Sequence, residues 1–288
     1  MQSLAVSVDD LGHIATRRQL VALGFTGFQL TAAVRGGVLR RVRRGWYASP
    51  GATNDQILAV RVGGRLSHTS AAASYGLWPG FDQRLHLTVS RGAKSLRRHR
   101  GPQFDTPDIA QRPIVVHWIR PERQDLTSAC TWRVNLEECL REVALSTDRE
   151  TAIACLDTAM HKFRLSRRDI QRIFQGQPAR ARAIAAASRP GSDSGPESVV
   201  RQRLLPCGVT VRQQVRIAGV GRVDMLVGKS LVIEIDGRAY HSDPRAFEND
   251  RRRDALLVAR GYRVLRFSFQ QVFGDWPFVE RCILAALA

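Results

Sequence analysis

Lysine is almost missing from this chain: only Lys94, Lys162 and Lys229 occur in 288 residues. Its positive charge is therefore arginine, whose planar fork can meet a phosphate with two hydrogen bonds at once. Acidic residues are too few to balance it, 26 against 44 basic, which leaves a formal net charge of +18. A surplus of that size is rare in a metabolic enzyme and ordinary in a protein that neutralises phosphates. A GC-rich coding sequence also enriches arginine, so the total carries the inference and no single arginine does. Long apolar runs are missing too. None approaches the ~18 residues that a transmembrane helix needs, so a transmembrane helix is excluded. The five cysteines (Cys130, Cys139, Cys155, Cys207, Cys282) are scattered with no C-x-x-C pair. That pattern supports neither a disulfide framework nor a zinc ribbon and fits a reducing compartment. Asp9 and Asp10 stand where a signal peptide would need a basic start and an apolar core, so a cytoplasmic location is expected. His68, His86, His99, His117 and His161 show no metal-ligand spacing, and each reads as a structural or surface group.

What is present is ordinary globular material: 44% apolar and 24% charged residues, in a length that suits about two domains of ~150 residues. Residues 1–190 carry 29 basic and 15 acidic side chains, whereas 191–288 carry 15 and 11. The basic excess thus belongs mainly to the first two-thirds. The stretch from Ala187 to Pro196, rich in Ser, Gly and Pro, reads as a linker, with a softer break near Ser49 to Asn54. The expected architecture is a multidomain α/β (α+β) chain with segments 1–54, 55–190 and 195–288.

In the first segment Thr16 caps a short helix that Gly24 ends, with Leu20 and Leu23 facing inward. After a tight turn Thr26 caps a second helix to Arg35, with Leu30 and Val34 on its buried face. Val38 to Ala48 follows as a β-hairpin with Arg40, Arg41, Arg43 and Arg44 near its tip. The pattern is a helix-turn-helix with a wing. Gln29 and Arg35 would reach base edges, while Arg17, Arg18 and the wing arginines would hold the backbone of double-stranded DNA. A helical pair used for protein contact, its arginines merely solvated, is the competing reading. The runs Gly12 to Leu20 and Gly36 to Tyr47 resemble the N-terminal domain of the AbiEi antitoxins. That resemblance implies self-repression through a winged helix and a cognate toxin as partner.

The middle segment is poorer in chemistry. Leu66 to Gly76 reads as a small-residue helix, Leu85 to Val89 and Ile114 to Ile119 as strands, and Trp132 to Val143 and Thr151 to Lys162 as helices. Arg91 to Arg100 forms a basic loop that is either solvated or in contact with nucleic acid.

The last segment holds the chemistry. Two apolar runs flank the turn Gly228-Lys229-Ser230, and a hairpin about that turn sets Asp224 opposite Glu234. Asp236, two residues on, shares their sheet face, while Val223, Met225, Ile233 and Ile235 fill the other. Like charges gathered so closely call for a cation, and oxygen-only ligands suit Mg²⁺ or Mn²⁺. Glu197, three residues after Ser194, reads equally well as a capping box and as a site group. Asp250 and Asp254 among Arg251 to Arg253 read as helix-surface ion pairs.

The residues Glu197, Arg212-Gln213-Gln214, Arg222-Val-Asp224, Ile233-Glu-Ile-Asp-Gly237, Tyr240-His241, Asp250-Arg-Arg-Arg-Asp254 and Gly261 to Phe267 resemble the DUF559 family. That family is similar to the very-short-patch-repair nickases of the PD-(D/E)XK superfamily. The resemblance implies metal-dependent cleavage of a DNA phosphodiester. Asp224 and Glu234 would bind metal, Glu197 would support them, His241 would act as general acid or base, and Tyr240 would approach or wedge the DNA. The superfamily motif ends in Glu-x-Lys, whereas Asp236 stands in the lysine's place here. Two readings follow: a cytoplasmic DNA-binding protein with an Mg²⁺-dependent nicking domain, or a non-catalytic antitoxin-like repressor. A homodimer or a cognate toxin would be its protein partner.

Overall fold

The computed structural model of the chain describes residues 3–91, 96, 113–119, 131–236 and 244–287, with side chains from 251 onward in the last stretch. They form two compact units, 1–146 and 147–288. The architecture is mixed α/β, as the sequence predicts, with three sheets among the described residues. No described helix is long and apolar enough to cross a membrane.

The first unit opens with α1 (Leu4–Asp10), β1 (Ile14–Thr16), α2 (Arg17–Ala22), α3 (Gly27–Arg35), β2 (Arg40–Arg43) and β3 (Trp46–Ala48). The strands form one antiparallel sheet in the order β1-β3-β2. Thr16 and Thr26 start their helices as expected, each in a reciprocal capping box with a glutamine three residues on. Leu20 and Leu30 are fully buried, in a cluster with Val8, Ala15, Phe25 and Leu39. Val34 packs against that cluster. Leu23 was expected inside and is 56% exposed. The reason is local: α2 ends at Ala22, Gly24 turns the chain at φ +93°, and Phe25 takes the inward position.

The unit continues with α4 (Asn54–Val62), β4 (Arg65–Leu66), α5 (His68–Ser74), β5 (Leu85–Ser90), β6 (Ile114–Ile119) and α6 (Leu136–Ser146). Strand β5 is central, antiparallel to β4 and parallel to β6. The helix expected from Leu66 begins at His68, because Arg65 and Leu66 first pair with Thr88 and Leu87. The helix expected from Trp132 begins at Leu136, because Trp132 and Val134 exchange backbone hydrogen bonds with Leu66. Apart from Arg91 and Leu96, the basic stretch 91–100 lies outside the described residues, as do His99 and Cys130.

The second unit begins with α7 (Arg149–Lys162), α8 (Arg167–Ile173), α9 (Ala179–Ala187) and α10 (Gly195–Leu204). Strands β7 (Val211–Ile217), β8 (Gly221–Val227), β9 (Leu231–Asp236) and β10 (Arg263–Ser268) follow, with α11 (Pro244–Ala259) between β9 and β10. Helices α12 (Phe269–Gly274) and α13 (Trp276–Leu287) close the chain. The sheet order is β10-β9-β8-β7, antiparallel except for the parallel β9–β10 pair. Helices α7 to α9, within the expected segment 55–190, lie in this compact unit. Asp157 of α7 is fully buried and accepts hydrogen bonds from Ser198 Oγ (2.6 Å) and Arg201 Nη2 (2.7 Å) of α10 and from the Arg189 amide (2.6 Å). A buried carboxylate needs that many donors, so α7, α10 and the Pro/Gly-rich stretch between α9 and α10 are fastened together.

Candidate active site

Strands β8 and β9 turn through Gly228–Ser230, where Gly228 takes the left-handed conformation at φ +61°. Their register pairs Met225 with Ile233, Leu226 with Val232 and Val227 with Leu231, as expected from the sequence. The ladder ends there; continued one step, the same register sets Asp224 opposite Glu234. There the backbone ladder gives way to a side chain: the Ile235 amide donates to Asp224 Oδ2 at 3.0 Å. On the other side of β8, Gln213 pairs with Met225 and Val215 with Val223, which sets Gln214 opposite Asp224. Glu234 in turn is the register partner of Arg266 on β10. A row Gln214–Asp224–Glu234–Arg266 therefore crosses all four strands. The opposite face is apolar as predicted, with Val223, Met225 and Ile233 fully buried.

The charge of Glu234 is balanced by protein. Glu234 is 7% exposed; its Oε1 lies 2.6 Å from Arg253 Nη2 and its Oε2 3.0 Å from Arg266 Nε. Arg266 also donates from Nη1 to Asp254 Oδ2 at 2.7 Å, and Arg253 donates to the Arg222 carbonyl. Arg253 and Asp254 were expected to pair along the helix surface. They reach across to the sheet instead, because a buried carboxylate needs the cations more than solvent does. The expected cluster of Asp224, Glu234 and Asp236 does not form either. Among the described residues no three carboxylates bring ligand atoms within 4.8 Å of one another. Asp236, at the half-buried end of β9, pairs by register with Ser268.

Glu197 both caps α10 and reaches the sheet. Ser194 Oγ accepts from the Glu197 amide (3.4 Å) and donates to Glu197 Oε1 (2.7 Å), which caps α10. Oε2 accepts from Gln214 Nε2 (2.8 Å) and from the Asp193 amide (3.0 Å), which ties the helix to the sheet row. Burial pushes the Glu197 carboxyl above its ordinary range, and the Asp224 charge adds to that. Burial likewise raises Asp224, against the pull of the Ile235 amide and of Arg253. These two groups favour a proton or a cation nearby. His241 and Tyr240 lie outside the described residues.

Sequence reasoning missed Gln214, Arg253 and Arg266. For Arg266 a signal was there: a lone charge inside the apolar strand run Val264-Leu265-Arg266-Phe267 marks a buried partner. Of the DNA-facing candidates in the first unit, Arg17, Arg18, Arg35, Arg40, Arg41 and Arg44 are exposed. Arg43 is half-buried and donates to the Val60 carbonyl at 3.0 Å, so it holds α4 to the hairpin. Gln29 is exposed, but its carboxamide oxygen accepts from the Thr26 amide at 2.8 Å as part of the helix cap.

A mixed four-stranded sheet with α10 before it, α11 across it and acids on adjacent inner strands defines a restriction-endonuclease-like domain. The restriction-endonuclease-like family model REase_MTES_1575 matches residues 197–287. Among solved structures, the chain is similar to "Homing Endonuclease I-Bth0305I Catalytic Domain", with 27% identity over 31% of this chain and 89% of that one and a TM-score of 0.28. Among curated proteins none matches.

Proposed function

We propose that the protein is a DNA-binding, metal-dependent endonuclease whose second unit nicks a phosphodiester. The observation that carries this reading is the presence of Asp224 and Glu234 on adjacent strands of a restriction-endonuclease-like domain, with two arginines on the buried carboxylate. The donor chemistry fits a hard divalent ion. Asp224 is a half-buried oxygen ligand with one oxygen held by an amide, and its raised pKa means that a cation relieves its burial. Asp224 would hold Mg²⁺ or Mn²⁺ with Glu234. Such an ion polarises a phosphoryl oxygen and lowers the pKa of bound water. Arg253 would leave Glu234 for the scissile phosphate, supplying the positive charge that the absent Glu-x-Lys lysine would provide. Glu197 keeps Gln214 and α10 in register with Asp224. His241 is the candidate proton carrier and Tyr240 the candidate wedge. Helix α3 and the β2–β3 hairpin, as a winged helix of the AbiEi type, would bring duplex DNA to the protein through Arg17, Arg18, Arg35, Arg40, Arg41 and Arg44. The finer kinship of the second unit with DUF559 belongs to the same proposal.

The test is cleavage of supercoiled plasmid and mismatched duplexes with Mg²⁺, Mn²⁺ or chelator, comparing wild type with Glu234→Gln. Metal-dependent nicking by wild type alone supports the reading; equal product from both proteins overturns it. One observation favours the second reading, a non-catalytic repressor with a cognate toxin: both oxygens of Glu234 are already neutralised by arginine. On that reading wild type binds its DNA and yields no product with any metal.

A further inference from the structure

Three histidines far apart in sequence meet in the first unit, although their spacing gave no sign of it. His68 opens α5, His86 lies on β5 and His117 on β6, and each offers a ring nitrogen within 4.8 Å of the other two. The fold causes the meeting. In the parallel β5–β6 pair His86 faces Val115 and Thr88 faces His117, so the two histidines are diagonal neighbours. The Ser67 amide donates to the His86 carbonyl at 3.0 Å, which delivers His68 to the same place. His86 Nδ1 lies 2.9 Å from His117 Nε2, and the His68 and His117 rings stack with centroids 3.6 Å apart.

The far nitrogens are held as metal-ligating imidazoles are held. His86 Nε2 lies 2.9 Å from Asp82 Oδ2, which assigns the ring proton there and turns the Nδ1 lone pair toward His117. His68 Nδ1 lies 3.1 Å from Ser67 Oγ and 3.4 Å from Glu142 Oε2, which leaves its Nε2 as the ligand atom. A carboxylate behind each of two imidazoles fixes tautomer and ring orientation, the usual support of a histidine-bound metal. His68 also sits at φ +51°, a backbone position that a non-glycine residue keeps only when its surroundings demand it.

We infer that His68, His86 and His117 form a binding site for one divalent transition ion of the Zn²⁺ class. Three nitrogen donors suit Zn²⁺ and leave one tetrahedral position for water or a substrate oxygen, the ligand count of catalytic rather than closed structural zinc sites. The site is separate from the carboxylates of the second unit and does not depend on the nuclease reading.

The test uses the full chain, stripped with chelator and titrated with Zn²⁺ or Co²⁺ alone. We expect one Zn²⁺ per chain after desalting and, with Co²⁺, the intense visible bands of a tetrahedral site. His117→Gln changes the half-buried member of the trio and should weaken binding at least 100-fold with an unchanged circular dichroism spectrum. Asp82→Asn should weaken it about 10–100-fold. Glu234→Gln should keep the full equivalent. If wild type retains no Zn²⁺, or if folded His117→Gln binds as tightly as wild type, the inference is overturned.

Discussion

The Asp224 carboxylate receives the Ile235 backbone N–H at 3.0 Å, so a side chain does what a strand carbonyl does elsewhere in the sheet. That contact separates folding from chemistry at this residue. Asp224→Asn keeps an oxygen for the amide, and urea unfolding should change by less than about 1 kcal/mol. Asp224→Ala leaves the Ile235 N–H without its acceptor and should cost about 1–3 kcal/mol. Both should abolish nicking. A folded Asp224→Asn that still nicks would remove Asp224 from the site.

The two arginines on Glu234 differ in what they hold. Arg253 has Glu234 and the Arg222 carbonyl, whereas Arg266 joins Glu234 to Asp254 and so ties β9, β10 and α11 together. Arg266→Ala should destabilise by about 1–3 kcal/mol, the range for a lost charge-assisted hydrogen bond beside a buried carboxylate. Arg253→Ala should cost less in stability and more in kcat. Arg253→Lys should recover part of the rate, because an ammonium still neutralises phosphate, though without the bidentate fork. Urea unfolding and single-turnover nicking separate the two effects, and equal kinetic defects would count against the division of labour.

Glu197 and Asp224 have carboxyl pKa values raised by burial, and the sign of that shift fixes a pH dependence. A group raised in the folded state favours folding below its unfolded pKa, and that contribution is lost as pH rises through the folded value. Metal-free protein should therefore lose stability as pH rises past the ordinary carboxylate range. Mg²⁺ or Mn²⁺ should restore it there, because cation binding requires the ionised form. Melting temperatures taken with and without metal across that range check this. Stabilisation by metal that is equal at acidic and neutral pH would place the ion elsewhere.

Much of this site was legible because strands make simple arithmetic. A side-chain period of two and a glycine-bearing turn are enough to set Asp224 against Glu234 and to put Val223, Met225 and Ile233 on the other face. Capping residues marked α2 and α3 for the same reason: Thr16 and Thr26 act within one turn of themselves. What could not be read was anything that depends on distant pairing. Arg253 and Arg266 meet Glu234 only after α11 has brought β10 alongside β9. His68, His86 and His117 meet only because β4 and β6 flank β5. The boundary at 146/147 was hidden because the Ser/Gly/Pro stretch near 190 has a linker's composition. Ser188 and Ser192 are nonetheless buried in it, held by Arg167 from before the stretch and by Gln213 from after it.

Gln214 offers the sharpest test of whether the sheet row is built around Glu197. Its φ is +51°, a left-handed position that costs a non-glycine residue about 1–2 kcal/mol. Gln214→Gly relieves that strain, but glycine gives back about 0.5–1 kcal/mol through the entropy of the unfolded chain. The same change removes the Gln214 Nε2 donation to Glu197 Oε2 at 2.8 Å, a bond to a buried carboxylate worth about 1.5–3 kcal/mol. The lost bond outweighs the relieved strain, so Gln214→Gly should unfold at lower urea, by about 1–2 kcal/mol in all. Nicking should fall with it, because Glu197 and α10 lose their tie to the row that holds Asp224. Gln214→Asn tolerates the same backbone conformation but is one methylene short of Glu197, and it should behave like the glycine variant rather than like wild type. If Gln214→Gly proves as stable as wild type and nicks as fast, the strained conformation serves the turn of β7 alone and Glu197 is only a helix cap.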